Sequence, residues 1–165
     1  MIHTFIIAAI TADGFIAKND HHLASWTSKE DKKFFVERTK QAGVVIMGSK
    51  TFETFGQPLK GRFNVVYSHD KKYEGVETTT KTPADLLQEL ENRGYTEAAI
   101  CGGAGIYTMF MRTKLVDTMY ITIEPLIFGG GIGIFNGPID VSLNLKTFKH
   151  LSDDVLLLEY GIIKR

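Results

Sequence analysis

The chain has 165 residues, 44% of them hydrophobic, which is long enough for one buried core and too short for two ordinary domains. We therefore expect a single domain over residues 1–165. Lys and Arg together number 19, as do Asp and Glu, so the formal net charge is zero. The chain therefore has no overall positive charge that would attract nucleic acid or an anionic membrane. One cysteine excludes an internal disulfide, and a secretory pattern is absent at the N-terminus, so we expect a cytoplasmic protein that binds a small molecule.

Apolar runs alternate with helical patterns through the first two thirds of the chain. Three continuous apolar runs, at 5–10, 44–47 and 98–101, are typical of strands covered on both faces. Helical patterns lie at 28–40, 82–92 and 104–112. This alternation predicts a mostly parallel sheet with helices on both sides.

The last third of the chain has a different pattern. Residues 116–123, 143–150 and 155–163 have the composition of strands and are joined only by loops. We therefore expect the sheet to end in antiparallel strands.

A helix is predicted to begin near Ser28. Ser28 and Asp31 have the spacing of a capping box, and the simplest interpretation is that they only start the helix. Helical periodicity adds a second interpretation, because Phe34 and Phe35 follow Asp31 by three and four positions and share its face. A carboxylate beside aromatic rings loses hydration, which raises its pKa and suits acid–base chemistry.

Two further residues near this helix start bear on the hypothesis of an acid–base pocket. Trp26, one turn before Asp31, would wall such a pocket, although an isolated Trp is more often plain core. Lys32 is predicted to face elsewhere.

Two predicted strands end at glycine and turn directly into a helix. Gly48 precedes Thr51, and Gly102 to Gly105 follow Cys101. Free backbone N–H groups at such ends bind phosphate, so two of them would hold the two phosphates of a dinucleotide. Neither end has the spacing of a phosphate loop or of the Rossmann fingerprint, and simple helix capping by glycine is the alternative for each.

The other candidates carry weaker signals. Arg62 precedes the predicted strand 64–67, where its planar guanidinium would reach a carboxylate or phosphate. His21 and His22 are adjacent and no other His or Cys has metal-ligand spacing, so we expect no metal site. The glycine-rich stretch 129–133 fits a bulge or a ligand approach equally.

These features, in this order, resemble the dihydrofolate reductase family over essentially the whole chain. The matching segments are Ile7-Ala8-Ala9, Trp26 with Asp31 five residues on, Val45-Ile46-Met47-Gly48, Thr51-Phe52-Glu53, Gly56-Gln57-Pro58-Leu59, Gly61-Arg62 with Asn64, Gly102-Gly103 with Tyr107, and Tyr120-Ile121-Thr122.

The resemblance implies both a fold and a reaction. The fold is an α/β three-layer sandwich, in which about four helices flank a mixed, mostly parallel eight-stranded sheet. The reaction is the NADPH-dependent reduction of 7,8-dihydrofolate to tetrahydrofolate, with hydride transfer to C6 and protonation at N5. Monomer and homodimer are both open.

The resemblance also implies residue roles. Asp31 would bind the pterin edge and promote protonation, with Thr122 joining through its hydroxyl and Trp26 ordering water. Substrate contacts would come from Ile7, Ala9, Phe34, Phe35 and, for the glutamate tail, Arg62. Gly102-Gly103 would carry the family's cis peptide bond. Cofactor contacts would come from Ala9, Ile16, Gly48, Ser49, Lys50, Thr51, Ser68, His69, Cys101, Gly102, Gly103, Ala104, Gly105, Ile106 and Tyr107.

Departures from the family pattern leave other functions open. Ser49 stands where the family often has an Arg for the 2′-phosphate, leaving Lys50 and His69 as local cations. Segments 11–17 and 125–131 look more like the pyrimidine reductases of riboflavin synthesis, which reduce a ribose phosphate. In that alternative, Arg62 and Lys60 would face the phosphate. A non-catalytic dinucleotide- or folate-binding module is a third interpretation, because function depends on the site and not on the fold.

Overall fold

The apolar run near the start of the chain forms a strand inside a large sheet. The computed structural model describes residues 1–165. Its strands are β1 (His3–Thr11), β2 (Phe15–Ala17), β3 (Val44–Gly48), β4 (Phe63–Tyr67), β5 (Glu77–Thr79), β6 (Glu97–Ile100), β7 (Thr118–Glu124), β8 (Ile132–Gly133), β9 (Ser142–His150) and β10 (Leu156–Ile163).

Eight of these strands form one sheet in the order β5-β4-β3-β6-β1-β7-β10-β9. The pairs from β5 to β7 are parallel, whereas β10 is antiparallel to both β7 and β9. The predicted mixed, mostly parallel sheet with antiparallel strands at its end is confirmed. β2, β5 and β8 were not predicted from the sequence, because strands of two or three residues are too short to show a periodicity.

Four α-helices flank the sheet, as predicted. They are α1 (Lys29–Ala42), α2 (Ser49–Phe55), α3 (Pro83–Asn92) and α4 (Ala104–Arg112). α1 starts where the capping box predicts, because Ser28 Oγ accepts a hydrogen bond from the Asp31 N–H at 3.2 Å. It ends at Gly43, whose positive φ of 79° closes the last turn. None of the helices is long and apolar enough to cross a membrane.

The core has two parts, one on each face of the sheet. Along β1, Phe5 and Ile7 belong to one cluster, while Ile6 and Ala8 belong to the other. β1 is therefore covered on both faces, which explains its continuous apolar sequence. The centre of the sheet consists of four parallel strands, β3, β6, β1 and β7, so their carboxyl ends lie side by side. In α/β proteins, ligands bind at these strand ends.

The glycine-rich stretch after β7 owes its composition to a close backbone approach. A Cβ placed on Gly131 would lie 2.3 Å from the carbonyl oxygen of Ala17, and the φ of Gly131 is +133°. This contact lies beside the ribbon in which Ala17 of β2 pairs with Ile132 of β8. The packing of two loops therefore explains Gly131, and no ligand approach is needed for it.

The fully buried ring of Phe110 on α4 allows a test of the core. Phe110→Ala should lower the free energy of unfolding by about 3–5 kcal/mol, because it removes a buried ring and leaves a cavity. Phe148→Ala on β9 is the matched control, since that ring is 64% exposed and its loss should cost less than about 0.5 kcal/mol. Urea denaturation measures both, and equal losses would contradict this packing.

Candidate active site

A large cavity opens at the carboxyl ends of the central strands. Its volume is about 1120 Å³, at the upper limit of single-ligand pockets, so it has room for a substrate and a cofactor together. Twenty of the predicted site residues line it: Ile7, Ala9, Ile16, Trp26, Asp31, Phe35, Gly48, Ser49, Lys50, Thr51, Arg62, Ser68, His69, Cys101, Gly102, Gly103, Ala104, Gly105, Ile106 and Tyr107. Phe34 and Thr122 do not.

Asp31 is a buried carboxyl in the first turn of α1. Burial raises its pKa above the usual value for an aspartic acid, and the negative charge of Glu124 adds to that rise. The Thr122 hydroxyl, the Lys32 ammonium and the Thr27 hydroxyl each lower this pKa, but burial outweighs them. The carboxyl therefore holds its proton at a higher pH than an exposed aspartic acid does.

Thr122 acts on the cavity only through Asp31. It lies on β7, is 1% exposed and is absent from the cavity wall. Its hydroxyl lies close enough to Asp31 to lower the pKa of that carboxyl.

The structure corrects two predictions about the faces of α1. Phe34 was predicted to line the ring pocket, but its ring lies outside the cavity and packs against Tyr120, with the two ring centroids 5.6 Å apart. Lys32 was predicted to face elsewhere, but it lines the cavity and its ammonium donates to the Thr27 carbonyl at 2.7 Å. The cause is the rotation of α1 about its own axis. Viewed down that axis, Asp31, Phe35 and Lys32 span one arc of the helix, and this arc faces the cavity. Phe34 lies outside the arc, about 60° from Asp31 on the side away from Phe35.

Aromatic rings form two walls of the cavity. Phe35 stacks on Phe55, with centroids 6.2 Å apart. Trp26 packs edge-on against Phe128, at 5.2 Å, and stacks with His22. The loop before α1, which lines the cavity at Trp26, is thereby joined to the loop after β7, whose Phe128 lies outside the lining.

The opposite half of the cavity is made largely of glycine backbone. The Gly102-Gly103 peptide bond is cis, as the family resemblance implied. The Gly48 N–H donates to the Gly102 carbonyl at 2.8 Å, which joins the ends of β3 and β6. A Cβ on Gly103 would lie 3.3 Å from Thr51 Oγ1, so a side chain there would crowd its neighbour and fill the space that a ligand could occupy.

The start of α4 in this half leaves backbone donors free. Its N-cap, Gly103, has no side chain to accept from the first N–H groups of the helix. These groups and the positive end of the helix dipole suit an anion.

Tyr107 and Cys101 line this half without offering reactive groups. The Tyr107 hydroxyl donates to the Ile7 carbonyl at 2.7 Å, and burial raises its pKa well above the usual value. Burial also raises the pKa of the Cys101 thiol to about 12, so it is not a nucleophile near neutral pH. Both side chains hold the cavity wall in place.

Cations lie at both ends of the cavity. The Lys50 ammonium pairs with Asp20 at 2.9 Å on the exposed rim, and Lys50, Ser68 and His69 all line the cavity. Arg62 donates from Nη1 to Thr39 Oγ1 at 2.9 Å and from Nε to the Lys60 carbonyl at 3.0 Å.

Arg62 has no carboxylate partner among the salt bridges of the protein, so its charge remains available to a ligand. Lys60, predicted beside Arg62 in the pyrimidine reductase alternative, lies outside the cavity lining.

Glu124, a buried carboxylate bonded to Ser28, was missed by sequence reasoning and does not itself line the cavity. Its carboxylate is 2% exposed and accepts hydrogen bonds from the Ser28 backbone N–H at 2.9 Å and the Ser28 hydroxyl at 2.8 Å. A signal was present, because Tyr120, Thr122 and Glu124 alternate along β7 and so share one face of the strand.

Comparisons with known proteins give the family. The family model described as dihydrofolate reductase matches residues 3–135. "Dihydrofolate reductase type 3" of Salmonella typhimurium is 36% identical over 121 residues, which cover 71% of this chain and 68% of the relative.

Two solved structures share the fold. Dihydrofolate reductase from Enterococcus faecalis, complexed with NADP(H), has a TM-score of 0.79 at 23% identity, covering 98% of this chain and 97% of that one. The diaminohydroxyphosphoribosylaminopyrimidine deaminase/5-amino-6-(5-phosphoribosylamino)uracil reductase from Thermotoga maritima has a TM-score of 0.81 at 16% identity, covering 98% and 57%. On the family model and the Salmonella relative, the chain belongs to the dihydrofolate reductase family.

Proposed function

We propose that this protein reduces 7,8-dihydrofolate to tetrahydrofolate with NADPH as the hydride donor. The observation that carries the proposal is the buried Asp31 carboxyl, which faces a cavity walled by Phe35 and Trp26. A carboxyl in this setting accepts hydrogen bonds from an amino-pyrimidine edge and holds its proton to a higher pH than an exposed aspartic acid does.

The substrate half of the cavity fits a flat ring with an anionic tail. Ile7, Ala9 and Phe35 give apolar contacts for a pterin ring beside Asp31. Arg62 lies two turns along α1, at Thr39, with its charge free for a tail carboxylate. Seven residues separate Lys32 from Thr39, so the two ends of the α1 wall are about 10 Å apart.

The glycine half fits a dinucleotide. The cradle at Gly48, Gly102 and Gly103, which a Cβ would fill, allows close approach of a pyrophosphate to the free N–H groups of α4. Lys50 and His69 are the cations for a 2′-phosphate, with hydroxyls from Ser49, Thr51 and Ser68 beside them. The complex of the Enterococcus faecalis relative with NADP(H) supports this choice of cofactor. When bound, the reduced dinucleotide supplies the hydride.

The residues of this chain place the two rings and manage the proton. Asp31 keeps a proton on its carboxyl oxygen and passes it, directly or through water, toward N5 of the pterin. The Thr122 hydroxyl stabilises the carboxylate that remains when the proton leaves. Trp26, which packs on Phe128, covers one side of the cavity and excludes bulk water from it. Catalysis then depends chiefly on bringing two ring faces into contact.

One observation favours a second candidate, reduction of a phosphoribosylaminopyrimidine. Lys32 and Arg62 place two cations in the substrate half, and a ribose phosphate suits two cations better than an apolar benzoyl group does. The Thermotoga maritima protein of similar fold carries such a reductase in its name.

Turnover with each substrate separates these functions. Purified protein should oxidise NADPH, followed at its absorbance band, when dihydrofolate is added and not with the phosphoribosylaminopyrimidine. The opposite preference would establish the second candidate. Binding of both ligands by calorimetry without oxidation would identify a binding module in place of an enzyme.

Asp31→Asn tests the proton donor. The amide keeps the shape and hydrogen-bonding capacity but cannot release a proton, so turnover of dihydrofolate should fall by about 10²–10⁴-fold at neutral pH. The loss should shrink as the pH falls, because protons then reach N5 from solvent. A pH profile of kcat for both proteins checks this, and wild-type activity in Asp31→Asn would reduce Asp31 to a capping residue.

The raised pKa of Asp31 also predicts an effect on stability. Ionising this carboxyl costs more in the folded than in the unfolded chain, so stability falls as the pH rises from about 4, the unfolded value, through the folded pKa. Asp31→Asn removes that loss and should melt at a higher temperature than the wild type at pH 7, with the difference vanishing below pH 4. Calorimetric melts over this range measure it, and a lower Tm at pH 7 would contradict it.

Arg62→Ala tests the tail site. Loss of a charge-assisted pair should raise the KM for dihydrofolate by about 30-fold, corresponding to about 2 kcal/mol, with a smaller change in kcat. Lys60→Ala is the matched control, because Lys60 is a neighbouring cation outside the cavity lining. An unchanged KM in Arg62→Ala would remove this residue from the site.

A further inference from the structure

A second carboxylate lies behind Asp31 and does not enter the proposed reaction. Glu124, at the end of β7, is buried and faces the start of α1 on the same side of the strand as Thr122. It accepts both donors of Ser28, and Ser28 Oγ in turn accepts the Asp31 N–H. Glu124, Ser28 and Asp31 thus form one hydrogen-bonded chain from the sheet to the cavity.

We propose that Glu124 is a positioning residue for Asp31, anchoring the first turn of α1 through Ser28 and keeping a fixed negative charge behind the proton-bearing carboxyl. This inference rests on the proposed reduction, in which Asp31 holds the proton.

Two hydrogen-bond donors and a helix N-terminus surround the Glu124 carboxylate. An N–H and an O–H of Ser28 both donate to it, and the positive dipole end of the 14-residue α1 lies beside it. Ser28 therefore links this carboxylate to the first turn of α1, and the negative charge of Glu124 acts on Asp31 from there.

Several groups change the pKa of Asp31, and burial raises it most. β7 contributes Glu124 and Thr122, α1 contributes Lys32, the loop before α1 contributes Thr27, and α4 contributes Tyr107. Among these groups Glu124 carries the negative charge, and that charge also raises the pKa of Asp31. Its removal leaves the charge of Lys32 unopposed by Glu124, which lowers the pKa of Asp31.

Glu124→Gln separates charge from shape, because the amide oxygen can still accept from Ser28. With carboxyl carbons labelled by ¹³C, the NMR titration midpoint of Asp31 should fall by about 1 pH unit in the ligand-free variant. Glu97→Gln is the matched control, since Glu97 lies at the other end of the sheet, about 26 Å away along β1, and should leave the Asp31 midpoint unchanged. An unchanged or raised midpoint in Glu124→Gln would overturn the proposal.

Kinetics provide a readout that a merely structural residue would not change. In Glu124→Gln, kcat for dihydrofolate at neutral pH should fall by about tenfold with little change in KM, and should recover when the pH is lowered by about 1 unit. A loss that no pH restores would show a structural role alone.

The NMR titration of Asp31 in the wild-type protein tests the proposal even if the Glu124→Gln variant does not fold and even if the protein does not reduce dihydrofolate. The Asp31 midpoint must lie above the ordinary range of an aspartic acid, and a midpoint within or below that range would overturn the proposal even if Glu124→Gln failed to fold. If the wild type does not oxidise NADPH with dihydrofolate, the proposed reaction fails, while the Asp31 midpoints still decide whether Glu124 acts on it.

Discussion

Burial of the Asp31 carboxyl at the first turn of α1 is the interaction on which the rest of the site depends. An ionised carboxylate is costly to bury, so this position forces the group to keep its proton or to find partners. The chain provides partners near this turn, where the Thr122 hydroxyl lowers the pKa of the carboxyl and Glu124 anchors Ser28. Asp31 also lines the cavity, so a ligand with donors to match the carboxyl gains a strong interaction there.

The parallel centre of the sheet explains why this carboxyl lies close to the glycine turn. β1 lies between β6 and β7, so the end of β1 touches the glycine turn on one side and the Thr122 strand on the other. The hydrogen bond from Tyr107 to the Ile7 carbonyl ties α4 to β1 and fixes the distance between the two halves. Under the proposed function, a hydride donor and a proton donor would thereby be held on opposite sides of one cavity by backbone geometry.

The sequence predicted the long elements because their signals are local. The Ser28–Asp31 cap, the apolar run of β1 and the glycine turn at 102–103 can each be recognised within a few residues. The rotation of α1 about its axis is set by tertiary packing and could not be predicted from the sequence. Phe34 was therefore predicted inside the cavity and Lys32 outside it, the reverse of what the structure shows. Glu124 was missed because its partner Ser28 is 96 residues away in the chain, and no local pattern connects them.

The two halves of the cavity differ in what they are made of. One half uses backbone N–H groups and glycines, and the other uses side chains on one helix and one loop, namely Asp31, Lys32, Phe35 and Arg62. Under the proposed function, a change at one of these four positions would alter which ring or tail is accepted without disturbing the dinucleotide side. Lys32 adds a charge beside the carboxyl, and Arg62 adds a second charge about 10 Å further along α1. The two cations therefore favour anionic groups at two separate points of this half.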